Sequence, residues 1–140
     1  QAVWLNSKFG RGIPSQASHS PVGAAAMQEQ VPFEKRRAEA DRISVRYPDR
    51  VPVICERAAH SDLPDIDKKK FLVSGTTTCG EFKYIIHKHL VQTLAAEQTI
   101  YLFVNGTSPK TVAQMSEIYE QYKAEDGFLY VSYGAENTLG

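Results

Sequence analysis

Apolar positions along this chain change period several times, and each change marks an element. From Phe33 to Tyr47, Ala40, Ile43 and Tyr47 fall three and four apart. Glu34 lies in what would be the first turn, where the helix dipole favours an anion, and Pro48 stops the run. That segment predicts a helix. Val51-Pro52-Val53-Ile54-Cys55 is apolar at every position. Successive strand side chains point to opposite faces, so this strand predicts a sheet covered on both sides and speaks against a helix bundle. Phe71-Leu72-Val73 predicts a second strand after a loop over 58–69. Thr78, with Glu81 three positions on, has the pattern of a capping box, and Cys79, Phe82, Ile86 and Leu90 follow at helical spacing, with Ile85 widening the stripe. Ile100–Val104 predicts a third strand, ended by the turn pair Asn105-Gly106. Thr111 to Gln114 repeats the capping-box pattern before a short helix with Met115, Ile118, Tyr119 and Tyr122 on one face. Asp126-Gly127 turns the chain into a last strand over 128–133. Strands at both ends of a central helix predict an α+β roll of the β-grasp type.

Residues 1–30 carry none of these periods. They hold Gly10, Gly12, Pro14, Pro21 and Gly23 with several Ser and Gln, and read as a flexible extension. Met27 is a candidate native start within it. The expected organisation is therefore an extension over 1–30 and one domain over 31–140, ending in an aperiodic tail from Glu136 to Gly140. At 140 residues the chain suits one domain better than two. Sixteen basic and sixteen acidic residues cancel, which disfavours a nucleic-acid binder. The cancellation is uneven. Residues 1–70 carry twelve positive and nine negative groups, and residues 71–140 carry four and seven. A basic amino-terminal half suits acidic peptide partners. The longest apolar runs have five residues, so none spans a bilayer, and the expectation is a soluble, cytosolic protein.

The catalytic motifs that would mark an enzyme are missing. There is no G-x-S-x-G, Walker loop, H-E-x-x-H or C-x-x-C. His87 and His89 lie two apart on a predicted helix, roughly 200° around its axis, and do not readily share a metal. They read as surface or boundary side chains. Cys79 near a helix start invites a lowered thiol pKa, but it also fills a core-like slot of the stripe, and Cys55 lies on an apolar strand. Both read as packing residues. No catalytic residue, metal or cofactor is implied.

Two features stay open on residue chemistry alone. Lys68-Lys69-Lys70 runs directly into the second strand, as a solvated loop or as a basic lip beside a sheet edge where an extended peptide adds as a strand. The terminal Gly140 is either incidental or a transferable carboxylate: lacking a Cβ, it threads a narrow active site and leaves its carbonyl open to attack.

Context bears on both. Pro32-Phe33-Glu34-Lys35-Arg36-Arg37-Ala38-Glu39, Tyr47-Pro48-Asp49-Arg50-Val51-Pro52-Val53-Ile54, Asp67-Lys68-Lys69-Lys70, Phe103-Val104-Asn105 and Asp126-Gly127-Phe128-Leu129-Tyr130-Val131 together resemble the autophagy-related-eight family of ubiquitin-like modifiers. The likeness runs from about Val31 to Gly140, and residues 1–26 have no counterpart in it. It implies a ubiquitin-like β-grasp with additional amino-terminal helices on the sheet face opposite the central helix. It implies that the Gly140 carboxyl is activated, passed through thioesters of partner conjugation enzymes and joined to phosphatidylethanolamine, in some members after a processing cysteine protease exposes it. The protein would be the substrate of that chemistry, a monomer in the cytoplasm until lipid places it on the autophagosome membrane. One acyl chain anchors only marginally and two anchor stably, so a single conjugation would suffice.

The resemblance also implies binding of autophagy receptors through short acidic motifs with an aromatic residue followed three positions later by an aliphatic one. The aromatic pocket would comprise Glu39, Ile43, Pro52, Ile54, Lys70, Leu72 and Phe128. The aliphatic pocket would comprise Phe71, Val73, Phe82 and Ile85, with Arg50 and Lys68 near the peptide's acids. Several positions depart from the family pattern. Thr77 makes the aliphatic pocket more polar, His87 and His89 replace common arginines, and Gln92-Thr93 resembles a short insertion. Trp4 does not complete such a motif itself, since Ser7 stands three positions on, and the remaining expectation is that Trp4 or Phe9 packs on the domain or a neighbour. An unconjugated ubiquitin-like adaptor for peptides or cytoskeletal partners is the alternative reading.

Overall fold

The computed structural model describes residues 3–4, 31–59, 61, 63–66, 68–90 and 99–135. Helix α1 spans Phe33–Arg46. Its first turn is closed by Lys35 and Arg36, whose N–H groups donate to the Pro32 carbonyl at 3.1 Å each, and Tyr47 ends it by donating to the Ile43 carbonyl at 2.7 Å. Strand β2 covers Arg50–Arg57 and β3 covers Lys70–Ser74, both longer than predicted. Helix α2 runs over Cys79–Leu90. Its capping box forms in both directions, with Thr78 N–H on Glu81 Oε1 at 2.9 Å and Glu81 N–H on Thr78 Oγ1 at 3.2 Å. Strand β4 is Tyr101–Phe103, helix α3 is Met115–Tyr122 and strand β5 is Leu129–Gly134.

The second predicted capping box is displaced. The Thr111 and Ala113 carbonyls accept from the Gly80 and Cys79 N–H groups at 2.9 and 2.8 Å, which ties that segment to the start of α2. Helix α3 consequently begins at Met115, and the box bond runs from Gln114 N–H to Glu117 Oε1 at 2.9 Å. A second difference lies in the expected extension, where Val3–Trp4 forms a strand, β1. The other residues of 1–30, including Phe9 and Met27, lie outside the described residues, as do Gln92-Thr93 and the tail from Glu136 to Gly140.

The five strands take the order β1-β3-β2-β5-β4. β2 pairs antiparallel with β3 and parallel with β5, and β4 pairs antiparallel with β5. This arrangement is the predicted α+β β-grasp. Pro52 sits inside central β2 without cost to the ladder. Val51, Val53 and Cys55 turn their backbone groups toward β3, so the missing N–H of Pro52 faces β5, one residue before that pairing begins at Val53–Leu129.

The two-faced apolar strand does what its pattern predicts. Val51, Val53 and Cys55 join a large cluster with Phe71, Val73, Phe82, Ile86, Met115 and Ile118 beneath α2 and α3. Ile54 faces the other way and packs with Val31, Ala40, Ile43, Leu72 and Phe128 under α1. Phe82 and Phe128 are wholly buried, one in each cluster, and each such side chain contributes about 1.5–3 kcal/mol. A polar clamp holds α1 down. Arg36 Nη1 lies 2.6 Å from Asp126 Oδ2, its Nε donates to the Val31 carbonyl at 2.9 Å, and Tyr130 donates to the same Asp126 oxygen at 2.5 Å. Burial and the neighbouring Asp126 push the Tyr130 phenol above its ordinary range.

Candidate functional site

Strand β3 carries the candidate site because its residues alternate between the two clusters. Lys70 and Leu72 face α1, whereas Phe71 and Val73 face α2. On the α1 side the structure brings together the whole expected aromatic set. Ile43, Ile54, Leu72 and Phe128 pack as one cluster, and Pro52, paired with Leu72 across the ladder, is buried beside them. Lys70 Nζ donates to Glu39 Oε2 at 3.4 Å, a buried ion pair tying β3 to α1. Burial lowers the Lys70 ammonium to about 8, with the Glu39 carboxylate opposing the shift. The lysine run is thus three different environments: Lys68 exposed, Lys69 half-buried and Lys70 buried. It is neither simply a solvated loop nor simply a lip.

The expected aliphatic set divides. Phe71, Val73 and Phe82 are core residues, with the Phe71 and Phe82 rings edge to face at 5.6 Å. Ile85 is half-buried and lines an open groove of about 870 Å³ together with Thr77, Lys83, Tyr84, Lys88 and His89. The His89 and Phe71 rings meet edge to face with centroids 5.4 Å apart, so this exposed histidine, expected as a surface or boundary side chain, borders the groove. Arg50, opposite Ser74, and exposed Lys68, just before Lys70, bring cationic side chains to the two ends of β3.

Sequence reasoning missed two buried polar groups. Asp126 meets Arg36 from 90 positions away, a separation that leaves no local signal. Glu56 lies on β2 almost fully enclosed, and among the described residues its Oε1 has no hydrogen-bond partner. Its carboxyl is pushed up to about 7, chiefly by burial, with Lys69 opposing and Asp65 reinforcing the shift.

The cysteines behave as packing residues. Cys55 and Cys79 are both buried and unpaired, and burial raises both thiols, the opposite of what a nucleophile needs. Among the described residues, no group of three or more His, Cys, Asp or Glu is placed to hold a metal, and no helix is long and apolar enough to cross a membrane. Gly140, the expected conjugation site, lies outside the described residues.

Comparison with known proteins adds the decisive observation. Residues 35–140 match the family model for the autophagy protein Atg8, ubiquitin-like. The chain belongs to the Atg8 family. It is 54% identical over 116 residues to autophagy-related protein 8 of Kluyveromyces lactis, covering 83% of this chain and 92% of that one. It is 53% identical over 119 residues to the Dictyostelium discoideum protein of the same name, covering 85% and 97%. Among solved structures, Trypanosoma brucei ATG8 superposes with a TM-score of 0.74 at 40% identity, covering 81% of this chain and 96% of that one. Plasmodium falciparum Atg8, solved in complex with a P. falciparum Atg3 peptide, superposes with a TM-score of 0.72 at 48% identity, covering 79% and 95%. The Atg8 likeness thus covers nearly the full length of each relative, and the fold and the autophagy role follow from it.

Proposed function

We propose that this Atg8-family protein works as a modifier joined through Gly140 to phosphatidylethanolamine, and that its β3 edge receives aromatic-x-x-aliphatic peptides from autophagy receptors and from its conjugation enzymes. The observation carrying this reading is the match to the Atg8 ubiquitin-like family over residues 35–140, a stretch that ends on Gly140. The Plasmodium relative, solved with an Atg3 peptide, supports a peptide-binding role toward the conjugation machinery. In the conjugation, the glycine carboxyl would be activated at the expense of a nucleotide, carried as a thioester and attacked by the headgroup amine, giving an amide. The chain would pass from the cytoplasm to the autophagosome membrane in that step, with two acyl chains as anchor. The domain over 31–140 would be held at the membrane through its carboxy-terminal tail.

The peptide would add as a strand along β3, its main chain supplying affinity and its side chains specificity. Lys68 and Arg50 would attract its acids. The aromatic side chain would enter beside Ile43, Ile54, Leu72 and Phe128, a cluster that is packed in the structure and must part to admit it. The aliphatic side chain would enter the groove lined by Ile85 and Thr77. Reconstitution with Atg8 conjugation enzymes, ATP and phosphatidylethanolamine vesicles tests the reading. Wild-type chain should float with the vesicles and Gly140→Ala should stay behind. Peptide binding without any vesicle-bound product would favour the unconjugated adaptor.

A further inference from the structure

The outer edge of β3 is already occupied. Val3–Trp4 pairs with it antiparallel, Val3 opposite Leu72 and Trp4 opposite Phe71. The ladder on the other side of β3 says which backbone groups this pairing uses. Cys55 N–H donates to the Lys69 carbonyl at 2.7 Å, so Lys69, Phe71 and Val73 direct their N–H and C=O groups toward β2. By the same alternation Lys70, Leu72 and Ser74 direct theirs outward, and Leu72 is the residue that faces Val3.

We propose that the amino-terminal segment around Val3–Trp4 is a built-in competitor, a strand of the chain itself that closes the β3 edge and that an incoming peptide has to displace. This rests on the reading of that edge as the peptide-docking strand. A peptide strand along Lys70–Ser74 needs the outward N–H and C=O of Leu72, and each serves one neighbouring strand at a time. Occupation by β1 and by a peptide are therefore exclusive. The competitor is also suited to yield. It has two paired residues, where an ordinary strand has about five or six, so its hold is weak against a longer peptide. Being part of the same chain, it nevertheless meets the edge without a bimolecular encounter, which favours it over a dilute soluble ligand.

The register supplies a selective perturbation. Val3 faces Leu72 with its own N–H and C=O, so Val3→Pro removes a donor that the pairing requires. A second full-length variant, with residues 2–5 replaced by Gly-Ser-Gly-Ser, removes the strand while keeping the tether. Two readouts apply to each. Amide exchange at Leu72 should be slow in the wild-type chain and about tenfold or more faster in both variants, while Phe71 and Val73, paired to β2, stay protected. Binding of a labelled acidic peptide carrying Trp-x-x-Leu, followed by anisotropy, should tighten about three- to tenfold in both variants. Unprotected Leu72 in the wild-type chain, or equal peptide affinity in wild type and variants, would overturn the competitor. A protected Leu72 with no peptide binding to any of the three chains would instead defeat the docking reading, and with it the competitor's role, while leaving the strand in place.

Discussion

Glu56 gives the sharpest test of the interior. The residue is 3% exposed, its Oε1 has no hydrogen-bond partner among the described residues, and its carboxyl is held at about 7 against an ordinary 4.5. A carboxyl whose folded value is raised favours the protonated form in the native state. Its contribution to stability is therefore fully present below the unfolded value near 4.5 and is lost as pH rises through about 7. Each tenfold change in proton affinity is 1.36 kcal/mol, so raising the group from 4.5 to about 7 corresponds to a loss of about 3 kcal/mol across the whole window. Glu56→Gln removes the titration while keeping the shape of the protonated acid. Urea unfolding of both proteins, measured from about pH 4.5 to about pH 8, isolates this group, because every other titration is common to the pair. The stability of the variant relative to wild type should rise by about 2–3 kcal/mol over that range. Any constant penalty for burying the amide cancels in that comparison. A relative stability that is flat with pH to within about 0.5 kcal/mol would refute the reasoning, and would mean that Glu56 is solvated or paired when ionised.

Other perturbations follow from the contacts of α1. Arg36→Met leaves Asp126 buried without its cation and should cost about 3–5 kcal/mol in chemical denaturation, whereas the same change at exposed Arg37 should cost less than about 1. Glu39→Gln removes the carboxylate beside buried Lys70 and should destabilise by about 2–4 kcal/mol near neutral pH. That penalty should shrink as pH rises past about 8, where Lys70 loses its proton, and denaturation at about pH 7 and about pH 9 checks it. Gly127 has φ +93° and an added Cβ would stand 2.8 Å from the Ala40 Cβ, so Gly127→Ala combines backbone strain with a clash and should lower stability by about 2–4 kcal/mol in thermal or urea unfolding.

Much of the fold was legible because its elements announce themselves by period. The unbroken apolar run in β2 predicted two covered faces, and Ile54 does pack away from Val53 and Cys55 into a separate cluster. The capping pattern at Thr78 formed as written because it uses the Thr78 and Glu81 N–H groups, while the tertiary bonds to the Ala113 and Thr111 carbonyls take those of Cys79 and Gly80 between them. At Thr111 the same pattern failed, since two carbonyls of that segment are committed to the start of α2, a tertiary demand that a four-residue pattern does not contain. The candidate site was legible through the family resemblance rather than through spacing. Lys70 illustrates the gap. A lysine in a run of three reads as solvated, yet the strand parity that begins at this residue turns it inward to Glu39. Phe71, Val73 and Phe82 serve as core, and of the expected aliphatic set Ile85 is the residue that lines the open groove. β1 had no periodic signal at all, because two paired residues are too few to have one.

The account stands on Gly140 as the point of conjugation, and intact mass spectrometry tests it most directly. Chain recovered from vesicles after reaction with Atg8 conjugation enzymes and ATP should be heavier by one phosphatidylethanolamine less one water, with fragmentation placing the added mass on Gly140. Unmodified mass under conditions that conjugate another Atg8 protein, or added mass on a lysine side chain with Gly140 free, would contradict the claim.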